Sequence, residues 1–142
     1  MLDWGTVSSY ACNLNAFNIL WPRVVIASVW LYQGVWCKLL GRAPRHQEIV
    51  EAAAFLDPAQ ARLLLYGLGA FECVLAAWML SGIALREAAA AQTLVLVSMN
   101  ITAMFRARDL ISDPIGMLLQ NTAFLTLVWV ASGDLHCYAT TR

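Results

Sequence analysis

Residues 63–85 read LLLYGLGAFECVLAAWMLSGIAL, and this stretch decides the fold class of the chain. It is long enough to cross a bilayer, because a spanning helix needs about 20 apolar residues. Glu72 lies near its centre. A carboxylate at that depth is costly in hydrocarbon, so we expect it to face the protein interior and to have a partner. The function of the chain therefore depends on what lies opposite Glu72.

Composition points to the same class. The 142 residues are 61% hydrophobic and 13% charged, whereas an average soluble protein carries about 25% charged residues. The formal net charge is +0 and no basic tail is present, so nothing indicates a nucleic-acid partner. Four spans with short connections would use nearly all of the length, which leaves no room for a soluble catalytic domain.

Four apolar stretches predict four membrane spans. They cover about Val24–Leu40, Leu63–Leu85, Ala88–Phe105 and Ile115–Ala131. Because lipid forbids unpaired backbone groups, all four should be helices. The predicted fold is an all-α membrane protein, an antiparallel up-and-down four-helix transmembrane bundle. Span three carries the most polar residues, so we expect it to be the helix most enclosed by the others.

The connections and the ends complete this organisation. Between spans one and two, apolar residues at helical spacing predict a short amphipathic helix on the membrane surface over about residues 45–56. Asp57-Pro58 and Asp113-Pro114 each combine a capping residue with a proline at the first helical position, so they should start spans two and four. Residues 1–22 are predicted to be an interfacial segment, residues 23–131 the membrane domain and residues 132–142 a tail.

Basic residues predict the orientation. One side of the predicted bundle carries Lys38, Arg42, Arg45, Arg62, Arg106 and Arg108. The positive-inside rule makes that side cytoplasmic and both termini external, in what we expect to be a bacterial inner membrane. Cys12 and Cys137 would then share an oxidising compartment that permits a disulfide between them. Two unpaired thiols are the alternative, because the sequence does not give their separation.

Polar residues of the spans concentrate in the half that faces the arginine-rich connections. With a helical rise of about 1.5 Å per residue, Glu72 lies about 15 Å inward from Arg62, near the midplane. We predict a Lys38–Glu72 ion pair, with extension of Lys38 to the headgroups as the alternative. The predicted ligand-binding pocket contains Gln33, Lys38, Glu72, Asn100, Gln120 and Asn121. The same residues could instead only hold helices together through interhelical hydrogen bonds.

Other functional motifs are sparse. We expect Arg42, Arg45 and His46 to contact lipid headgroups. His136 lies on the opposite side of the predicted bundle from His46, so a histidine-based metal or haem site is not expected. The sequence contains no CxxC, GxGxxG or Ser-His-Asp arrangement, and no covalently bound cofactor is predicted.

The stretch WLYQGVWCKLLGRAPRHQEIV, residues 30–50, resembles the DoxX-like family of small four-span membrane proteins. Further matches are LGAFE at residues 68–72, Met99-Asn100, and DPIGMLLQN at residues 113–121. The family takes its name from a membrane subunit of an archaeal complex linked to quinone reduction. Some relatives are fused to dehydrogenase-like domains, which implies a redox association. Such a fusion would place the start of span one in the cytoplasm, opposite to the orientation that the arginines predict.

These observations lead to three functional hypotheses. The first is an accessory subunit of a quinone-linked redox complex, in contact with the lipid bilayer and with other membrane subunits, whose pocket holds a quinone or a lipid. The second is a stand-alone quinone-linked oxidoreductase in which Glu72 and His46 move protons. The third is a small-solute or proton pathway, which would require an oligomer because four short spans leave little internal space.

Overall fold

Every regular element in the described part of the chain is helical. The structure, a computed structural model, describes residues 20–133. The helices are α1 (Leu20–Leu39), α2 (Pro44–Ala54), α3 (Pro58–Ser81), α4 (Leu85–Arg106) and α5 (Pro114–Ser132), with a short 3₁₀ turn at Arg108–Leu110. The predicted all-α class is confirmed for these residues. Cys12 and Cys137, and with them the predicted disulfide, lie outside the described residues.

Three of the helices, α3, α4 and α5, are long and apolar enough to cross a membrane. The first helix meets the same requirement of length and hydropathy only when it is taken together with Pro44–Ala52 of α2. The two helices are bent by 80° relative to each other. Residues 20–133 therefore contain three candidate spans, or four if the bent pair counts as one. Leu20 is already helical, so span one begins before the predicted Val24. Pro22 lies within α1, near the first described residue.

The start of α3 follows the prediction and its end does not. Asp57 Oδ1 accepts hydrogen bonds from the backbone N–H groups of Ala59 and Gln60, at 3.0 and 2.9 Å. Pro58 occupies the first turn, where its missing N–H has no helical partner to lose. The helix ends at Gly82, whose φ of 72° lies in the left-handed region that glycine adopts without strain. The predicted continuation to Leu85 was therefore wrong, and Leu85 begins α4.

The start of α5 explains the DPIG sequence at residues 113–116. Asp113 Oδ1 accepts a hydrogen bond of 2.9 Å from the backbone N–H of Gly116, and Pro114 fills the first turn. A Cβ atom on residue 116 would clash with the Asp113 carboxylate. Asp113, Pro114 and Gly116 thus form one capping unit. The Asp-Pro pair predicted the start of the helix, but the role of Gly116 was not predicted.

Contacts between helices define their relative directions. Arg23 Nη1, near the start of α1, lies 3.1 Å from where a Cβ of Gly82 would be, after the end of α3. These two helices therefore run in opposite directions. Likewise Trp129, late in α5, donates a 3.1 Å hydrogen bond to Thr93, early in α4. At the other end of the molecule, Arg45 of α2 donates to the carbonyl of Leu110.

The apolar core lies away from α2. It is built around Ile26, Trp30, Leu75, Met79 and Val128, and Trp30 meets Phe124 edge-on with ring centroids 5.8 Å apart. The most apolar stretch of α3 is 33% buried, against 17% for α4. The prediction that the third span is the most enclosed was therefore wrong. Polar side chains of α4, such as Thr93 and Asn100, each have a hydrogen-bond partner on α5, so they do not require the whole helix to be enclosed.

Candidate functional site

The centre of the candidate site is an ion pair between α1 and α3. The Lys38 ammonium donates to both carboxylate oxygens of Glu72, with N–O distances of 2.6 and 2.8 Å. The two residues are only 3% and 2% exposed. The predicted pair is confirmed. Because each charge is buried and the other is its direct partner, removing either one would leave an uncompensated charge inside the protein.

A contact between two glycines brings the two helices close enough for this pair. A Cβ on Gly34 would lie 2.6 Å from the carbonyl oxygen of Gly69, and a Cβ on Gly69 would lie 2.8 Å from that of Gly34. Gly34 precedes Lys38 by four residues and Gly69 precedes Glu72 by three, so each glycine shares a helix face with its charged neighbour. The missing side chains allow backbone contact, as in small-residue crossings of membrane helices.

The second half of α1 has an unusual winding. Tyr32–Leu39 form a π-helix, and the wider pattern continues where the backbone N–H of Leu40 donates to the Val35 carbonyl at 2.8 Å. The buried residues of this segment are Gly34, Cys37 and Lys38, which are the residues on the side of α3. Short π-helical segments often occur at functional sites. Nothing in the spacing of residues 32–39 predicted it.

A cavity of about 270 Å³ lies beside the ion pair. Its walls come from the end of α1 and the turn after it, the start of α2, and the early turns of α3. Its polar side chains are Lys38, Gln47, Arg62 and Tyr66. Lys38 therefore takes part both in the ion pair and in the wall of an open space at the end of the molecule where α2 lies. Arg62 contributed only to the predicted orientation, and its place in this wall was not predicted from the sequence.

A second polar contact joins α4 and α5. The side-chain amide of Asn121 donates a 2.7 Å hydrogen bond to Asn100. Both asparagines also line an apolar groove of about 230 Å³ on the outside of these helices. This contact belongs to a different helix interface from the ion pair. It holds α4 and α5 together in the way that interhelical hydrogen bonds do in membranes.

A third polar contact lies inside the core. The Trp30 indole N–H donates a 2.6 Å hydrogen bond to Gln92 Oε1, and Gln92 Nε2 lies 3.6 Å from Met79 Sδ. Gln92 is 0% exposed. No partner for this glutamine was predicted from the sequence. Ala88 and Ala89, four and three residues earlier, are small buried residues on the same helix face. They were the available sequence signal that Gln92 is buried against another helix.

The family model of the DoxX-like family matches residues 27–129. The chain belongs to the DoxX-like family. The family resemblance is therefore confirmed. The matched residues include the glycine contact and all three polar contacts described above, Lys38–Glu72, Asn100–Asn121 and Trp30–Gln92. Together with the apolar helices, it makes this DoxX-like chain an integral membrane protein whose helices contact lipid. No curated protein and no solved structure matched the chain.

The structure divides the predicted pocket of the DoxX-like chain. Lys38 and Glu72 form one pair, and Asn100 and Asn121 form the other. Gln120 is exposed on α5 and Gln33 is half-buried on α1. Within residues 20–133, neither glutamine is hydrogen-bonded to the ion pair. A single pocket that includes all six residues stays a prediction.

Arg42, Arg45 and His46, which were predicted to contact lipid headgroups, lie beside other groups of the DoxX-like chain. The Arg42 guanidinium lies over the Trp36 ring, 5.7 Å from its centroid. Arg45 donates to the carbonyl of Leu110 and, at 3.2 Å, to the Ser112 hydroxyl. His46 is half-buried on α2, and its Nδ1 atom is buried without a hydrogen-bond partner in residues 20–133. In the same range, no three His, Cys, Asp or Glu side chains are grouped to hold a metal ion.

Proposed function

We propose that this DoxX-like protein is a small integral membrane subunit of a quinone-linked redox assembly. One observation supports it most: the Lys38–Glu72 charges and the Gln92 amide are paired inside, whereas large apolar side chains are exposed along the helices. Val74 is 58% exposed, Leu94 69% and Val130 62%. Such surfaces are stable against lipid or against the helices of another membrane protein. The redox part of the proposal comes from what the family resemblance implies.

The proposed membrane arrangement is an up-and-down bundle of α1, α3, α4 and α5. Opposite directions within the pairs α1–α3 and α4–α5 support it. In this arrangement α2 is the amphipathic helix at the interface, since it bends by 80° from α1 and is tied to the α4–α5 connection through Arg45. The arginine count favours a cytoplasmic location for this end.

The proposed ligand site is the cavity beside Lys38 and Glu72. A lipid-soluble molecule, a quinone or a lipid, would place its polar head there, beside the Lys38 side chain. Since the ion pair is already satisfied on its own, the protein does not need the ligand to compensate the buried carboxylate. The cavity therefore suits reversible occupation by a ligand exchanged with the membrane.

Photocrosslinking from the exposed face of α3 tests the assembly. A photoreactive amino acid replaces Val74, and the matched control places it at the neighbouring Leu75, which is 1% exposed. We expect crosslinks from position 74 to a distinct membrane protein in native membranes, and crosslinks only within the chain from position 75. Crosslinks from position 74 to lipid alone, with migration of the purified protein as a lone small species, would contradict the proposal.

A further inference from the structure

The charges around the cavity do not balance. Lys38 and Glu72 neutralise each other, and Arg62 adds a positive charge to the wall. Within residues 20–133, Arg62 makes no hydrogen bond or ion pair. Two other arginines of this end have aromatic partners in the same range, Trp36 for Arg42 and Phe55 for Arg106. The cavity thus has a net positive wall with one unpaired guanidinium.

Hydrogen-bond donors are also left over. A guanidinium has five donors in a fixed fork that matches phosphate oxygens. Tyr66, one turn after Arg62 on α3, also lines the cavity and contributes a hydroxyl. Donors therefore outnumber acceptors among the side chains of this wall.

The cavity lies at the depth of lipid headgroups in the proposed arrangement. Arg62 is in the second turn of α3, about 6 Å along the helix from Pro58. The apolar part of α3 that follows it, to Leu80, is about 27 Å long, close to the roughly 30 Å thickness of the hydrocarbon layer. Arg62 is therefore at the boundary between hydrocarbon and headgroups.

We propose that this cavity binds a phosphate group through Arg62 and Tyr66. This inference rests on the ligand site proposed above and names its chemistry. A net positive wall rich in donors fits an anion with several acceptor oxygens better than a neutral quinone. Phosphate can come from two sources, the headgroup of an anionic phospholipid or soluble phosphate. The depth of Arg62 favours the headgroup.

Lipid retention by the purified full-length protein tests the proposal. The protein is exchanged into phosphate-free maltoside detergent containing equal amounts of phosphatidylglycerol and phosphatidylcholine, and bound lipid is counted by native mass spectrometry. The variant is Arg62→Gln, which removes an exposed guanidinium without described partners. The control is Arg86→Gln, an exposed arginine at the start of α4, the opposite end of the molecule. A separate arm titrates inorganic phosphate alone.

We expect phosphatidylglycerol to bind wild type and Arg86→Gln equally, and Arg62→Gln about tenfold more weakly, because a charge-assisted hydrogen bond is lost. Binding of inorganic phosphate with the same dependence on Arg62 would support the site and identify soluble phosphate as its source. Equal phosphatidylglycerol binding by all three proteins would overturn the proposal. Retention of a neutral quinone carried over from the native membrane, in preference to phosphatidylglycerol, would also overturn it while leaving the proposed redox assembly intact. Crosslinking from position 74 tests that assembly separately.

Discussion

At the scale of single residues, the buried ion pair determines which substitutions the protein tolerates. Lys38 and Glu72 lie at the contact of α1 and α3 with almost no exposure. Desolvating two charges is costly, and the cost is offset only while both are present with good geometry. The pair is therefore sensitive to the loss of one member and tolerant to the loss of both.

Glu72→Gln should destabilise the protein by about 3–5 kcal/mol, since it leaves the Lys38 ammonium buried without a counter-charge. The double variant Lys38→Met with Glu72→Gln should recover most of that loss. The measurement is the free energy of unfolding in mixed micelles as the denaturing detergent fraction increases. If the double variant is less stable than Glu72→Gln alone, the two residues do not act as a coupled pair.

The glycine contact gives a second prediction at this scale. Gly34→Ala should lower the free energy of unfolding by about 1–3 kcal/mol, because the new methyl group must push the helices apart. Gly67→Ala is the matched control. A Cβ there has no neighbour within 4 Å, so it should gain up to about 1 kcal/mol from helix propensity. The same unfolding assay compares the two, and equal effects would show that α1 and α3 do not meet at Gly34.

At the scale of elements, the capped starts of α3 and α5 were predictable from the sequence, whereas the π-helical winding in α1 was not. Asp57-Pro58 and Asp113-Pro114 carry local chemistry, a side-chain acceptor followed by a fixed φ, so the sequence predicts both starts. The π-helix Tyr32–Leu39 depends on how α1 packs on α3, which no local pattern contains. For the same reason, Lys38–Glu72 was predictable from depth and helix face, whereas Trp30–Gln92 was not. Gln92 lies outside the arginine-facing half where polar residues were sought.

Removing the cap of α3 should be measurable. Asp57→Ala should cost about 0.5–2 kcal/mol in the free energy of unfolding, because two backbone N–H groups lose their acceptor. Asp57→Asn should stay near wild type, since an asparagine oxygen can accept the same bonds. An equal loss in both variants would mean that the carboxylate charge, rather than the cap, stabilises this end.

At the scale of the whole molecule, the distribution of charge could be predicted but the cavity between the helices could not. The basic side chains gather at the end that carries α2 and the α4–α5 connection. This distribution predicts which connections share a side of the membrane. The cavity at Arg62 needed the structure, because residues from α1, α2 and α3 meet there and their separations in sequence say nothing about the space between them.

Labelling of introduced cysteines tests the proposed bundle. A cysteine replaces Ile83, which is 70% exposed in the turn between α3 and α4, or the exposed Asp109 in the α4–α5 connection. A membrane-impermeant maleimide should label position 83 in intact cells and position 109 only after permeabilisation. The chain without added cysteines gives the background. Labelling of both positions from one side would contradict the bundle, and a reversed pattern would contradict only the orientation.

The contact of Gly34 with Gly69 also restricts how the molecule can move. Two helices whose backbones are in contact at one point can change their crossing angle about that point, while the contact itself stays in place. Widening the space beside Lys38 would then press the opposite arms together. There the Arg23 guanidinium already lies against the turn at Gly82. We therefore expect a ligand that widens the cavity to bring the Arg23 side chain closer to the turn at Gly82.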